Sequence, residues 1–446
     1  MLLNPQTGQR VPLFWQQSDG GPRWLRWPID IAIDPSWPQT TDGAPAPSAE
    51  AAILCQLKPA LALPLRRGLA GTRDHSPLLE PVYKPLTQIL STLKPEVPEA
   101  DQPDPSDLLW RCCGLGLAAD QFERAMANLL GVGVSYPGGW SSQYQTNLQN
   151  AILGGGLVSE PSKIHFIEET TAAVLACLRS GDDDDRPEQF SSPTDGLPRP
   201  PLHAVDPEGL AFAISAGAST TEVALVDLAA LVRNPRAAAS SQSFAYGGQG
   251  LDQDILYYIL YPQLQASPLA EIEQLLGILQ LDSLAQPQLG QPDSDKRRRL
   301  HLRLCSSAPG RQLLAIAQRI KHELQVQPRV TYTLAQHRGQ VTQDELGHQI
   351  LLPYIRTLNH QTQSLFRSTA VSPRAVSHVI CSGGIASMRV VELWARRCFT
   401  EAELLRSPTV AALDAEVDLP ASAWLGSQVG YGLASLPLVI PDLGSP

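Results

Sequence analysis

From Phe212 to Leu228 the chain reads FAISAGASTTEVALVDL, an apolar run that breaks into Ser215, Ala216, Gly217, Ala218, Ser219 and Thr220 and then resumes with Val223, Leu225 and Val226. Two buried-type strands joined by so short and small-sided a turn are expected to pair as a tight hairpin, because small residues let the backbones approach closely. A turn of this kind presents consecutive backbone N–H groups and hydroxyls, which is how an anion is cradled without a lysine. The hairpin therefore constrains the fold to one containing a buried sheet, and it supplies a candidate phosphate loop.

The surrounding pattern alternates strand and helix. LLGVGVSYP, Leu129 to Pro137, reads as a strand, SQYQTNLQNAILGGG as a helix ending in glycines, IHFIEE as a second strand, and TTAAVLACLRSG as a second helix. DQDILYYILYPQL, AIAQRIKHELQ and DELGHQILLPYIRTLNHQTQSLFR are helical, and AVSHVICSGGIASMRVVELW is strand, glycine turn, helix. This alternation is the signature of an α/β layer fold. At 446 residues the chain exceeds what a single small core organises, so two α/β lobes around a cleft are expected.

Three stretches rich in Pro, Ser, Gly and acid, beginning at Asp34, Glu96 and Arg179, are expected to be linkers or insertions, since they lack the apolar surface that ordering requires. The four aspartates from Asp182 to Asp185 fit a solvated loop better than a metal site, which needs a fixed scaffold. A formal charge of −10 argues against nucleic acid and anionic lipid as partners. Seven cysteines, an odd count with no CxxC pair and no matching His spacing, argue against structural zinc and a disulfide framework. With neither a signal-type N-terminus nor an apolar run of about twenty residues, a cytoplasmic protein is expected, with no membrane partner.

Four small-residue turns follow strand-like runs: residues 215–221, Gly247-Gly248, Gly383-Gly384, and GYGLAS from Gly430. A glutamate pair, Glu168-Glu169, ends another. In this order and spacing the sequence resembles the nucleotide-binding domain of the seventy-kilodalton heat-shock chaperones (the DnaK type), within the actin, sugar-kinase and chaperone ATPase superfamily. FIEETTAAVLACL resembles the first connecting motif, SAGASTTEVAL the second phosphate loop, GGQGLD the Gly-Gly turn after it, AQRIKHEL the adenine-side helix, CSGGIASM the adenosine loop, and SQVGYGLA the second connecting motif. The likeness runs from about Cys113 to Ala434.

The resemblance implies a two-lobed, actin-like fold of two ribonuclease-H-like lobes around a nucleotide cleft. Lobe I would span residues 1–178, completed by about 420–440; an acidic, proline-rich linker 179–206; and lobe II 207–419. It implies ATP with magnesium as cofactor, the metal held through the nucleotide. Glu169 would place water and magnesium at the terminal phosphate, and Lys58 would be the catalytic lysine. Gly217, Thr220 and Thr221 would meet phosphate together with the Gly247-Gly248 turn, Lys321 and His322 would flank the adenine, and Gly383 and Gly384 would approach the nucleoside.

Two departures from the family pattern bear on chemistry. Where the family begins this loop with aspartate the chain has Ser215, and Ala218 and Ser219 replace two loop glycines. Serine supplies no carboxylate for magnesium, so hydrolysis is expected to be weak or absent. The family's opening Asp-x-Gly-Thr motif is not found near Met1; the start LNPQTGQRVPLFWQQ resembles the family's next strand and turn, and RWPIDIAI, Arg26 to Ile33, the strand after it. The expectation is a chain lacking that first strand and the family's substrate-binding half.

Other motifs carry less. CGLGLAADQFERAM contains GxGxxA, but the preceding DLLWR looks helical and Asp120 comes too early for a dinucleotide site. DKRRRLHLRL is expected to be a solvated helix face, Trp15, Trp24, Trp27 and Trp37 core packing, and Cys112, Cys113 and Cys381 buried small hydrophobes. Three functions remain open: an ATP-binding chaperone-family protein with an unidentified protein partner or client, a non-catalytic scaffold, and an actin-like filament or cell-shape protein.

Overall fold

The computed structural model describes residues 117–178, 208–234 and 239–406, together with 2–3, 10–11, 13–17, 86–87, 90, 92–93, 110–114 and 205. Lys58, Trp24, Trp27, Trp37, Cys55, the segment 26–33, the aspartates 182–185 and the region 407–446 lie outside the described residues.

The protein is a mixed α/β structure. Its first strands are β1 (Leu2–Leu3), β2 (Arg10–Val11), β3 (Leu13–Gln17) and β4 (Trp110–Gly114); β1 pairs with β2 and β3 with β4, both antiparallel. Helix α1 (Ala119–Ala127) follows β4, turning Phe122 and Met126 inward. β5 (Val132–Tyr136), α2 (Ser142–Gly154) and β6 (Ile164–Glu168) then form a βαβ unit whose two strands are parallel.

The largest sheet has five strands in the order β13-β12-β7-β8-β9. β7 (Leu210–Ala216) and β8 (Thr221–Asp227) are the hairpin expected from the sequence, with Ala216 opposite Thr221 and Ser215 opposite Glu222. β9 (Ala239–Phe244) continues antiparallel, whereas β12 (Val376–Ser382) and β13 (Glu403–Arg406) join β7 in parallel. Period-2 alternation sends Phe212, Ile214, Val223 and Leu225 to one apolar cluster and Ala211, Ala213, Ala224 and Val226 to another. The alanine face is covered by α3 (Glu169–Leu175), which leaves β6 directly and is buried from Thr170 to Leu175. Alanines on the sheet give that helix room to approach. On the opposite face Phe212 packs against Phe366 and Phe399, with ring centroids 5.8 and 4.6 Å away.

After α4 (Leu228–Arg233) and β9, helix α5 (Gly248–Ile255) widens into a π-helical stretch, Leu256–Leu260, before α6 (Tyr261–Gln265). The same happens at Leu346–Leu351, ahead of a long helix, Leu352–Thr369. In both places a proline follows, Pro262 and Pro353. Proline has no N–H and its ring crowds the carbonyl four residues back; a wider turn relieves the clash and lets the helix continue. Between them lie α7 (Ala270–Leu279), α8 (Ser294–Cys305), α9 (Ala308–Glu323) and the hairpin β10 (Arg329–Leu334)–β11 (His337–Thr342). We call Leu352–Thr369 α10, and Arg389–Cys398, between β12 and β13, α11.

Three expectations are corrected. Val205, inside the segment assigned as linker 179–206, is buried, bridges Leu178, and donates its N–H to Cys177 O at 2.7 Å. A β-branched apolar residue gains more from the core than from solvent, so Val205 packs there. Of the segment DLLWR ahead of GxGxxA, read as helical, Trp110 and Arg111 belong to a strand, Trp110–Gly114, and Ala119–Ala127 is a helix. One objection to a dinucleotide site thereby falls, but β4 is antiparallel to β3 and pairs with no parallel strand, so the βαβ unit that such a site needs is not formed among the described residues. Third, α8 is not simply a solvated basic face, because Arg297 is buried.

Candidate functional site

Three of the four small-residue turns meet at one end of the large sheet; the fourth, from Gly430, lies outside the described residues. Gly248 N donates to Gly217 O at 2.9 Å and Gln249 N to Ala218 O at 2.7 Å, so the first turn of α5 is tied to the tip of the β7–β8 hairpin. Ile385 N donates to Ala216 O at 3.1 Å, bringing the loop after β12 to the same place. Two glycines are required by this approach. A Cβ on Gly247 would lie 2.6 Å from Gly217 O, and Gly383, at φ +92°, has Ala216 O where a Cβ would stand. Among the described residues nothing lies within 4 Å of a Cβ built on Gly217 or Gly384. Ala218 is exposed and Ser219 half-buried, and their N–H groups have no acceptor among the described residues.

The polar residues assigned from sequence divide differently. Thr221 is fully buried, donating its hydroxyl to Tyr246 O at 2.8 Å with Tyr354 Oη 3.2 Å away, and it therefore braces the hairpin from within. Thr220 is buried, with its carbonyl accepting from Gly217 N at 3.0 Å. Lys321, expected beside an adenine, is buried: its Nζ lies 2.6 Å from Asp252 Oδ1 and donates to Gly248 O at 3.1 Å. It clamps α9 to α5, while His322, next in sequence, is exposed. Glu169 is half-buried as the first residue of α3.

Ser215 and Ser382 are neighbours across β7 and β12, both buried and both uncharged. Directly opposite Ser215, on β8, is Glu222, a residue that the sequence reading missed. It is 1% exposed; Oε1 accepts from Thr170 Oγ1 at 2.5 Å and Oε2 from Gly138 N at 2.8 Å. Burial pushes its carboxyl up to about 8, partly offset by these two hydrogen bonds and reinforced by the charges of Glu168 and Glu169. Burial likewise raises Glu168, against a hydrogen bond from Ser241. A signal for Glu222 was present: it is the only charge between Phe212 and Val226, at an inward position of the strand.

A second buried polar node fixes α8 against α5. Arg297 makes contacts with both oxygens of Asp254, at 2.9 and 3.2 Å, and lies 4.5 Å from the centre of the Tyr246 ring. Asp254 also accepts from Tyr246 Oη at 2.7 Å and from Gly290 N at 3.0 Å. Two turns beyond Arg297, Cys305 Sγ sits 3.3 Å from the Nε2 of His301.

No family model matches the chain, and no curated protein matches it closely enough to count as a relative. No described helix is long and apolar enough to cross a membrane. Among the described residues no group of three or more His, Cys, Asp or Glu side chains is placed to hold a metal ion. Glu222 does not fit magnesium, since both its oxygens are taken and burial favours the protonated form.

Proposed function

We propose that the chain is a two-lobed, actin-like nucleotide-binding domain of the DnaK type that binds ATP and hydrolyses it weakly or not at all. The observation that carries this reading is the convergence of three turns, 216–220, 246–249 and 383–387, at one sheet end, held by hydrogen bonds between their backbones. Exposed Gly384, half-buried Gly217 and the exposed edge at Ala218 give a phosphate or nucleoside close access to the backbone. Poor turnover follows from chemistry: Ser215 carries no charge, and Glu222 is buried in a form that resists ionisation. A nucleotide switch of this kind acts on a protein partner or client.

Calorimetric titration of the whole chain with ATP and magnesium tests the reading. One-to-one saturable binding is expected, weakened at least about tenfold by Gly384→Leu, a side chain placed where no described residue stands within 4 Å, with an unchanged melting temperature. If a folded chain gives no heat with ATP, the scaffold reading replaces this one. Any residual turnover should fall in Glu169→Gln far more than binding does; unchanged turnover removes Glu169 from the mechanism.

A further inference from the structure

A cavity of about 340 Å³ opens where the βαβ unit meets the edge of the large sheet. Tyr136 at the end of β5, Phe166 and Glu168 on β6, Gln145 on α2, Thr171 on α3 and Ala239 at the start of β9 contribute to its wall. The rings of Tyr136 and Phe166 meet edge to face, 6.3 Å apart at 74°. Among the described residues of the lining, Glu168 is the one that carries a charge.

Glu168 is incompletely satisfied. It has a hydrogen bond from Ser241, but its Oε2 is buried without a hydrogen-bond partner. Aromatic faces attract organic cations, and a carboxylate opposite them completes the usual surroundings of a bound ammonium group. The volume is at the low end of ligand pockets and suits a one- or two-ring molecule.

We propose that this cavity binds a small organic ammonium ion with an apolar, ring-bearing body, its charge held by the Glu168 carboxylate and its body lying against Tyr136 and Phe166. The inference does not depend on nucleotide binding, because none of the turns assigned to nucleotide lines the cavity.

The test is a calorimetric titration of the full chain with tryptamine, a primary ammonium on an indole, against tryptophol, the same skeleton ending in a neutral hydroxyl. Tryptamine should bind one-to-one and at least about tenfold more tightly, as a charge-assisted hydrogen bond is about twice as strong as a neutral one. In Glu168→Gln its advantage should shrink to within about twofold while tryptophol is unaffected. Ala239→Phe, which fills the cavity from β9 without altering a carboxyl, should abolish binding of both. Equal affinities in the wild type, an advantage that survives Glu168→Gln, or no saturable heat from either compound would each overturn the proposal. So would undiminished tryptamine binding in Ala239→Phe, which decides the matter even if Glu168→Gln does not fold.

Discussion

Replacing Glu222 with glutamine should make the protein markedly less sensitive to pH between mildly acidic and mildly basic conditions. The carboxyl is 1% exposed, and its pKa stands at about 8 rather than the ordinary 4.5. The folded state therefore holds a proton that the unfolded state has already released over that interval. Stability from this group is fully present below the unfolded pKa and is lost as pH rises towards the folded one. The slope is about 1.4 kcal/mol per pH unit, which summed over the interval gives a ceiling of about 5 kcal/mol. Glutamine is close in shape, with its carbonyl able to accept from Gly138 N and its amide to donate to Thr170 Oγ1, so the variant keeps both contacts without the ionisation. Urea unfolding followed by tryptophan fluorescence, run in parallel on both proteins from about pH 5 to pH 8, reads the difference directly. The stability of Glu222→Gln relative to wild type should rise steadily with pH. Parallel pH profiles would refute the reasoning, showing that Glu222 is ionised in the fold and that Thr170 and Gly138 hold a carboxylate.

Two pairs of substitutions probe the packing that positions the turns. Arg297→Ala leaves the carboxylate of Asp254, whose side chain is 1% exposed, without its cation and should cost about 3–5 kcal/mol in denaturant unfolding. Arg298→Ala, next along the helix and paired only loosely with Asp295 at 3.6 Å, should change stability by less than about 0.5 kcal/mol. Gly247→Ala puts a methyl 2.6 Å from a backbone oxygen and should lower stability by about 1–3 kcal/mol, whereas Gly384→Ala, with no described residue nearby, should leave the melting temperature nearly unchanged.

Much of the architecture is legible along the chain. The hairpin at 212–228, the βαβ unit, the paired helices with their prolines and the strand–turn–helix at 376–398 all follow from periods of two and 3.6 residues and from where the small residues fall. Those signals are local, and their chemistry is decided by neighbours in the chain. DLLWR was misread because apolar and charged residues over so short a run carry no reliable period, and pairing with Leu13–Gln17 sets Trp110–Gly114 as a strand. Of the three cysteines read as buried small hydrophobes, Cys112 and Cys381 are buried and Cys113 is half-buried, while the proximity of His301 to Cys305 follows from their spacing of four on one helix.

By itself, then, the sequence determined the layered α/β character, the hairpin and the glycines at which backbones must approach. Tertiary structure alone decided which polar groups are free to meet a ligand. Lys321 and Thr221 look like ligands in the sequence, yet Asp252 and Tyr246 engage them in the interior. Glu222 gains its partners from residues 52 and 84 positions away, and Arg297 its carboxylate from 43 positions away. The physical reason is that desolvation and pairing depend on what a side chain faces in space, and a polar residue keeps its ordinary chemistry only where the fold leaves it in water.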